Sequence, residues 1–160
     1  MHLACECRHS DKPIYSWTLT SAIRHDSPRF RTLLKRIHGR IGDVCSDSAN
    51  ACRENAQLVK RKGGTPFLMP KRNASMKVKG HQAWREMVKF REKHPKAFKN
   101  RYHKRSNVES TNRSFKGKYG EFLRSRVWHT QKREAGLKVL TYNIRQLIRY
   151  RIRVQLEIRD

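Results

Sequence analysis

The stretch "YHKRSNVESTNRSFKGK", residues 102–118, is polar and basic and contains one acidic residue, Glu109. On a helix that turns about 100° per residue, five of its residues fall within an arc of about 80°. They are Tyr102, Arg105, Glu109, Asn112 and Lys116. Two interpretations remain open. The face is either a solvated helix surface, with Glu109 paired to Arg105 or Arg113, or a metal-binding carboxylate beside cations that hold phosphate.

A single carboxylate cannot hold a hard divalent cation, so the second interpretation needs a partner acid. Asp43 and Asp47 are the only acids in the apolar, strand-like run "IGDVCSDSA", residues 41–49. Asp43 follows Gly42, and this favours turn or cap chemistry. Asp47 stands where the strand is expected to end, and turn chemistry and metal binding remain equally open for it.

The charge of the chain predicts an anionic partner. Its 160 residues include 38 Lys and Arg against 13 Asp and Glu, a formal net charge of +25. Nucleic acid is the commonest partner of such a protein, and a membrane surface is less favoured. No apolar run approaches the roughly 18 residues that would span a bilayer.

The order of the predicted elements indicates an α/β fold. Two strands near 2–8 and 14–20 form an antiparallel hairpin, and a helix that Asp26 or Ser27 can cap follows them. The next predicted elements are a strand ending near Asp47, a helix closed by glycine, a strand at 65–70 and a loop at 71–82. A long helical region then begins at Ala83, breaks or restarts at Pro95, and continues to Gly117 or Gly120.

The C-terminal part is predicted to form one more amphipathic helix with a basic polar face. Its expected apolar stripe is Leu137, Leu140, Ile144, Leu147 and Ile148. After Arg149 the apolar residues alternate with period two, so the tail is either an edge strand or the end of the helix. We therefore divide the chain into a domain at 1–148 and a basic tail at 149–160.

The pattern Tyr102-x2-Arg105-x3-Glu109-x6-Lys116 resembles the Y-R-E-K signature of DDE-type insertion-sequence transposases. Three further segments resemble that family in the same order along the chain. "HLACECR" with "TSAIRHDSP" (2–8 and 20–28) resembles the hairpin and the following helix start, "SDSANACRENAQLVKRKGGTPFLMPKRNAS" (46–75) resembles the second-aspartate strand, the helix after it and the "GGTP" strand, and "LRSR" (123–126) occurs later. The resemblance covers nearly all of residues 1–148.

The resemblance implies an RNase H-like fold, a mixed sheet flanked by helices. It also implies a two-metal site that holds Mg²⁺, with Mn²⁺ as a possible substitute, for phosphodiester hydrolysis and strand transfer. Asp47 would take the place of the second aspartate and Glu109 that of the glutamate. The residues expected to bind transposon ends and target DNA are Tyr102, Arg105, Asn112, Lys116, Arg124 and Arg126.

The sequence departs from the family pattern at two points. The first aspartate of the family belongs on a strand before the hairpin, and Asp11, in a turn, is a poor replacement for it. Asn50 stands where the family often has tyrosine. The expectation is therefore a partial fold that lacks the first strand, a carboxy-terminal fragment that is inactive alone.

Several alternatives remain open. The chain could be a non-catalytic basic nucleic-acid-binding protein, such as a ribosome-associated one, or a transposition regulator that occupies DNA ends. A homodimer, or association with a full-length transposase, is the expected assembly. The expected location is the prokaryotic cytoplasm, in association with the nucleoid.

Overall fold

The computed structural model describes residues 1–7, 11–20, 27–71 and 81–158. The chain divides into two compact units, which we describe separately. Unit 1 comprises Met1–Ser21 and Asn107–Asp160, and unit 2 comprises Ala22–Ser106. The elements in chain order are β1 His2–Cys5, β2 Ile14–Thr18, α1 Ser27–Arg36, β3 Asp43–Ser46, α2 Arg53–Arg61, β4 Thr65–Leu68, α3 Gln82–Lys93, α4 Pro95–Tyr102, α5 Ser106–Tyr119 and α6 Trp128–Glu157, with short 3₁₀ turns at Ser48–Asn50 and His103–Arg105.

Unit 1 contains the predicted hairpin, in which β1 and β2 pair antiparallel with His2 opposite Thr18. Helices α5 and α6 contribute to the same core as β2. Its buried residues are Ile14, Phe115, Val139 and Tyr142, and Leu3, Cys5, Trp17 and Tyr119 pack against them. Burying these apolar side chains is the main force that holds the hairpin and the two helices together.

Unit 2 is built on β3 and β4, which pair in parallel with Asp43 opposite Thr65. Parallel strands need a crossover, and α2 with the glycine pair after it provides that connection. Gly64 is required there, because a Cβ atom at this position would lie 2.7 Å from the Gly42 carbonyl oxygen. The core of the unit is centred on Phe67, whose ring lies 5.5 Å from that of Phe98 and 6.1 Å from that of Phe90.

The α/β class is confirmed, and the single mixed sheet that the sequence predicts stays a prediction. In the described ranges the strands form two separate two-stranded sheets, β1–β2 and β3–β4. In unit 1, the Asn143 side chain bonds to both backbone polar groups of Ile14 in β2. A further strand cannot use those two groups. The RNase H-like arrangement stays a prediction.

The predicted long helix through residue 109 is interrupted. Between Tyr102 and Ser106 the chain takes a 3₁₀ turn, His103–Arg105, and α5 begins at Ser106. The Ser106 hydroxyl donates a hydrogen bond to the His103 carbonyl at 2.9 Å. In an uninterrupted α-helix this carbonyl would accept a hydrogen bond from the backbone N–H four residues later. A 3₁₀ turn has 3.0 residues instead of 3.6, and the single face predicted for residues 102–116 stays a prediction.

The predicted apolar stripe of the C-terminal helix is exposed. Leu137, Leu140, Ile144, Leu147 and Ile148 are 50–63% exposed, whereas Ala135, Val139, Tyr142 and Gln146 are the buried residues of α6. The prediction chose the wrong side because the packing side is made of small and amphipathic residues, which a hydrophobic pattern ranks below leucine. The tail through Glu157 continues α6, so the strand alternative does not describe it.

Two sequence predictions concern residues that the structure does not describe. Asp26, the alternative helix cap, and most of the predicted loop at 71–82 lie outside the described ranges.

Candidate active site and nucleic-acid interface

Asp47 lies immediately after β3, where the sequence predicted the strand to end. Its carboxylate is exposed and does not cap the following 3₁₀ turn. The Asn50 amide donates to the Asp47 Oδ1 atom at 3.1 Å and to the Ser46 hydroxyl at 2.8 Å. This amide therefore orients the carboxylate with a neutral donor and leaves its charge uncompensated by that contact.

Asp43 has a different role from the turn or cap chemistry favoured for it. It is the first residue of β3, it is 14% exposed, and its Oδ2 atom lies 2.9 Å from a guanidinium nitrogen of Arg101. The same guanidinium lies 5.6 Å from the centre of the Phe67 ring. The pair therefore joins β3 to α4 and neutralises Asp43, so Asp47 is the candidate ligand on this strand.

The thiol of Cys45, two residues before Asp47, is not a competing functional group. Burial, together with the nearby Asp43 carboxylate, raises the pKa of Cys45 to about 11. Its Sγ atom lies 3.2 Å from the Arg101 carbonyl oxygen. Because only a thiolate is a strong nucleophile or metal ligand, this cysteine is inert at neutral pH.

Tyr102 and Arg105 are anchored to the core of unit 2. The Tyr102 ring stacks on that of Phe98, with centroids 6.3 Å apart, and the Arg105 guanidinium lies 5.8 Å from the Tyr102 ring centre. Phe98 is 2% exposed, so the tyrosine rests on a rigid support. This stack restricts Arg105 and reduces the rotamer entropy that phosphate binding would cost.

Glu109, Asn112 and Lys116 lie on α5 in unit 1. Glu109 is exposed in the first turn, where the helix dipole favours a carboxylate. Lys116 has its ammonium 2.7 Å from the Glu121 carboxylate. Both partners of that ion pair are more than half exposed, so the pair is weak and Lys116 can exchange Glu121 for a phosphate at little cost.

The loop that carries Arg124 and Arg126 is held by a residue that sequence analysis missed, Glu134. One carboxylate accepts the backbone N–H groups of Ser125 at 2.9 Å and Arg124 at 3.0 Å. Donation from Ser125 first, and then from Arg124, lowers the pKa of Glu134 to about 2. The two arginine side chains of this loop are exposed.

Two more side chains of α6 close the same loop. Gln131 donates to the Ser125 carbonyl at 3.0 Å, and Lys138 donates to the Phe122 carbonyl at 2.9 Å. Lys138 also lies 3.2 Å from the Glu134 carboxylate. Side-chain contacts thus attach the loop to the first three turns of α6. The backbone that carries Arg124 and Arg126 is therefore held in place.

A family model described as the transposase DDE domain matches residues 1–144. The chain belongs to this family. The match gives this DDE domain a role in DNA transposition and makes DNA its partner. Searches of curated proteins and of solved structures found no match to the chain. The Y-R-E-K subtype is finer than this result and stays a prediction.

DDE transposases typically use a divalent metal, and Mg²⁺ in proteins is bound by oxygen ligands. Asp47 and Glu109 are exposed oxygen donors, the ligand type that Mg²⁺ prefers, and Mg²⁺ often binds one or two carboxylates together with substrate phosphate. Within residues 1–7, 11–20, 27–71 and 81–158, no group of three or more His, Cys, Asp or Glu could hold a metal. Each carboxylate on its own is therefore a suitable type of ligand for such a metal, and phosphate oxygens of the substrate could supply further ligands.

The predicted site residues are divided between the two units of the DDE domain. Unit 2 contains Asp47, Tyr102 and Arg105, and unit 1 contains Glu109, Asn112, Lys116, Arg124 and Arg126. Each set has an exposed carboxylate and at least one cation. In the part of the chain that the structure describes, no helix has the length and apolar composition needed to cross a bilayer.

Glu134 could have been suspected from the sequence. It is the only acid between Glu121 and Glu157, and it stands four residues before Lys138. That spacing predicts an ion pair on a helix. Nothing in the spacing indicates that the same carboxylate accepts two backbone N–H groups nine and ten residues earlier.

Proposed function

We propose that this DDE domain binds transposon-end and target DNA, and that Asp47 and Glu109 are two of its metal-binding carboxylates. The observation that carries the proposal is the contrast between the two acids of β3. Arg101 neutralises Asp43, whereas Asp47 is exposed at the strand end and is oriented by a neutral amide. A carboxylate that is oriented but not neutralised suits a cation ligand.

When bound, Mg²⁺ or Mn²⁺ would supply Lewis-acid activation for hydrolysis and strand transfer at phosphorus. The chain's own residues would do the rest of the binding. Arg105, supported by the Tyr102 ring, and Lys116 would contact DNA phosphates. Asn112 would add a neutral hydrogen-bonding group, and the exposed arginines of the Glu134-held loop would extend the basic surface.

We further propose that the domain alone binds DNA without cleaving it, as a fragment of a Y-R-E-K-type transposase would. The support is the resemblance along the sequence, which assigns Asp47 and Glu109 to two of the family's three carboxylates and gives only Asp11, in a turn, as a poor replacement for the first aspartate. With two carboxylates, the protein compensates less of the charge of a metal pair than three would. The domain would then depend on DNA, or on another chain, to complete the site.

The test separates metal binding from DNA binding. Mn²⁺ binding to the purified chain, measured by electron paramagnetic resonance without DNA, is expected to weaken about tenfold in Asp47→Asn and in Glu109→Gln. Asp43→Asn and Glu92→Gln are the matched controls, since Asp43 is neutralised by Arg101 and Glu92 is an exposed glutamate elsewhere. Equal Mn²⁺ affinity in all five proteins would contradict the metal assignment.

DNA binding is measured by fluorescence anisotropy of a labelled duplex across a salt series. Binding should weaken steeply with salt, because each neutralised phosphate contributes about −0.9 to the slope of log K against log salt. Arg105→Gln is expected to reduce the magnitude of that slope by about 1. Cleavage of the duplex by the wild-type chain with Mg²⁺, lost in Glu109→Gln, would contradict the claim that the domain alone does not cleave.

The net charge of +25 also favours a second candidate, a basic nucleic-acid-binding protein without metal chemistry. That function predicts the same salt dependence. It predicts no effect of Asp47→Asn on Mn²⁺ binding, so the metal experiment distinguishes the two.

A further inference from the structure

An apolar stripe runs along the exposed side of α6, on the side opposite the residues that pack in unit 1. Its apolar members recur at alternating spacings of three and four residues, with Arg151 at one position. They are Leu137, Leu140, Ile144, Leu147, Val154 and Ile158. The leucines and isoleucines among them are 50–78% exposed. A repeat of 3.5 residues sustained over three heptads keeps one seam facing another helix.

The distribution of charge along α6 favours a second copy of this chain as the partner helix. The positions that border the seam are Thr141, Asn143, Ile148, Tyr150, Gln155 and Glu157, and none is basic. Apart from Arg151, the basic residues of this segment lie elsewhere on the helix, at Lys138, Arg145, Arg149 and Arg153. Two copies of a chain with a net charge of +25 can approach here without bringing Lys or Arg together at the borders.

Arg151 decides the orientation of the two helices. A parallel pair would place Arg151 of one copy beside Arg151 of the other, and like charges in contact are destabilising. An antiparallel pair can set Leu137 against Val154, Leu140 against Arg151, and Ile144 against Leu147. The two Arg151 residues are then eleven positions apart along the seam, about 16 Å, which exceeds the Debye length at physiological salt.

We propose that two copies of this chain associate through an antiparallel pair of α6 helices along this seam. The paired part of the seam, from Leu137 to Val154, extends about 26 Å, since each residue adds about 1.5 Å of helix. Arg151 covers Leu140 of the other copy with its aliphatic stem and keeps its guanidinium at the solvent edge. The association is independent of the metal and DNA roles proposed above, because none of the seam residues belongs to them.

The test is the mass of the chain by sedimentation equilibrium, after nuclease treatment and in high salt. High salt releases DNA that could bridge two basic chains, whereas it does not weaken an apolar seam. The wild-type chain is expected at twice its 19.0 kDa mass at tens of micromolar. Ile144→Glu should weaken association by about 100-fold or more, because it buries an unpaired charge. Arg149→Glu, on the same helix but outside the seam, should leave the mass unchanged.

Leu140→Glu tests the orientation, because it sets a carboxylate against Arg151 of the other copy in the antiparallel arrangement only. The dimer should persist, with a dissociation constant within about tenfold of the wild type. Monomeric Leu140→Glu would overturn the antiparallel register. A monomeric wild-type chain, or an Ile144→Glu variant that still dimerises, would overturn the seam as a self-association surface. Circular dichroism of each variant confirms that α6 has formed, and the substituted side chains are exposed in the single copy.

Discussion

The Asn143 side chain bonds to the backbone of β2 as a neighbouring strand would, and we predict that its loss lowers the stability of unit 1. Its Oδ1 atom accepts the Ile14 N–H at 2.8 Å, and its Nδ2 atom donates to the Ile14 carbonyl at 2.9 Å. Ile14 is 4% exposed, so water has little access to either backbone group. Asn143→Ala would leave both groups unpaired in a buried place.

The magnitude follows from those two bonds. Each contributes about 1 kcal/mol net, and an unpaired buried backbone group costs somewhat more. We therefore expect Asn143→Ala to lower the free energy of unfolding of unit 1 by about 2–3 kcal/mol. Thr141→Ala is the matched control. Its hydroxyl is exposed and bonds to the Leu137 carbonyl of the same helix, so the change should stay within about 0.5 kcal/mol.

Urea unfolding followed by circular dichroism measures the global effect, and hydrogen exchange of the Ile14 amide measures the local one. Protection of that amide should fall by about 30-fold or more in Asn143→Ala, since each 1.4 kcal/mol corresponds to a factor of ten. If Asn143→Ala and Thr141→Ala unfold at the same urea concentration, and the Ile14 amide keeps its protection, the amide does not act as a substitute strand.

Three further predictions concern stability. The pKa of Glu134 is lowered to about 2 in the folded chain, against an unfolded-state pKa near 4.5. The hydrogen bonds of this carboxylate therefore stabilise the fold fully above pH 4.5, and this contribution is lost as pH falls towards 2. The difference in melting temperature between the wild type and Glu134→Gln should shrink across that range. Phe98→Ala should cost about 3–4 kcal/mol in urea unfolding, because this 2% exposed ring fills the core of unit 2, and a loss below 1 kcal/mol would contradict that packing. Gly64→Ala should destabilise by about 1–3 kcal/mol, since the Cβ of the new alanine would meet the Gly42 carbonyl. Gly117 lies in a helix with open space around it, so Gly117→Ala should be neutral or stabilising by up to about 1 kcal/mol. Thermal melts of the two variants check both signs.

Local patterns predicted the strands better than they predicted the helices. Alternating residues at 14–20 indicated β2, and an apolar run that contains two aspartates indicated a strand that ends near Asp47. The 3₁₀ turn at His103–Arg105 was not predictable, because a hydrogen bond such as that from the Ser106 hydroxyl to the His103 carbonyl leaves no trace in hydrophobic periodicity.

The packing side of α6 was not predictable for a related reason. The helix has two sides that could be buried, and the sequence pattern favours the one with the larger apolar residues. Unit 1 instead buries Ala135, and it uses Val139 and Tyr142 to pack with Ile14 and Phe115. Shape complementarity between distant elements decides such cases, and a one-dimensional pattern does not contain it.

For the candidate site, the sequence indicated residue types but not their partners. Asp47 was proposed from its place at a strand end, and that place is confirmed. Its role as a ligand stays a prediction. The pairing of Asp43 with Arg101 spans 58 positions in sequence, so no local spacing could have removed Asp43 from the candidates.

The contact between Asn50 and Asp47 has a further consequence for how this acid responds to its surroundings. An amide has no ionisable proton between the extremes of pH. The Asn50 side chain therefore remains a hydrogen-bond donor at any ordinary pH, whereas a histidine or a phenol in its place could change its protonation state. A lysine or arginine in the same place would compete with an incoming cation for the oxygen it holds. The asparagine therefore fixes the direction of the Asp47 carboxylate without contributing any charge of its own.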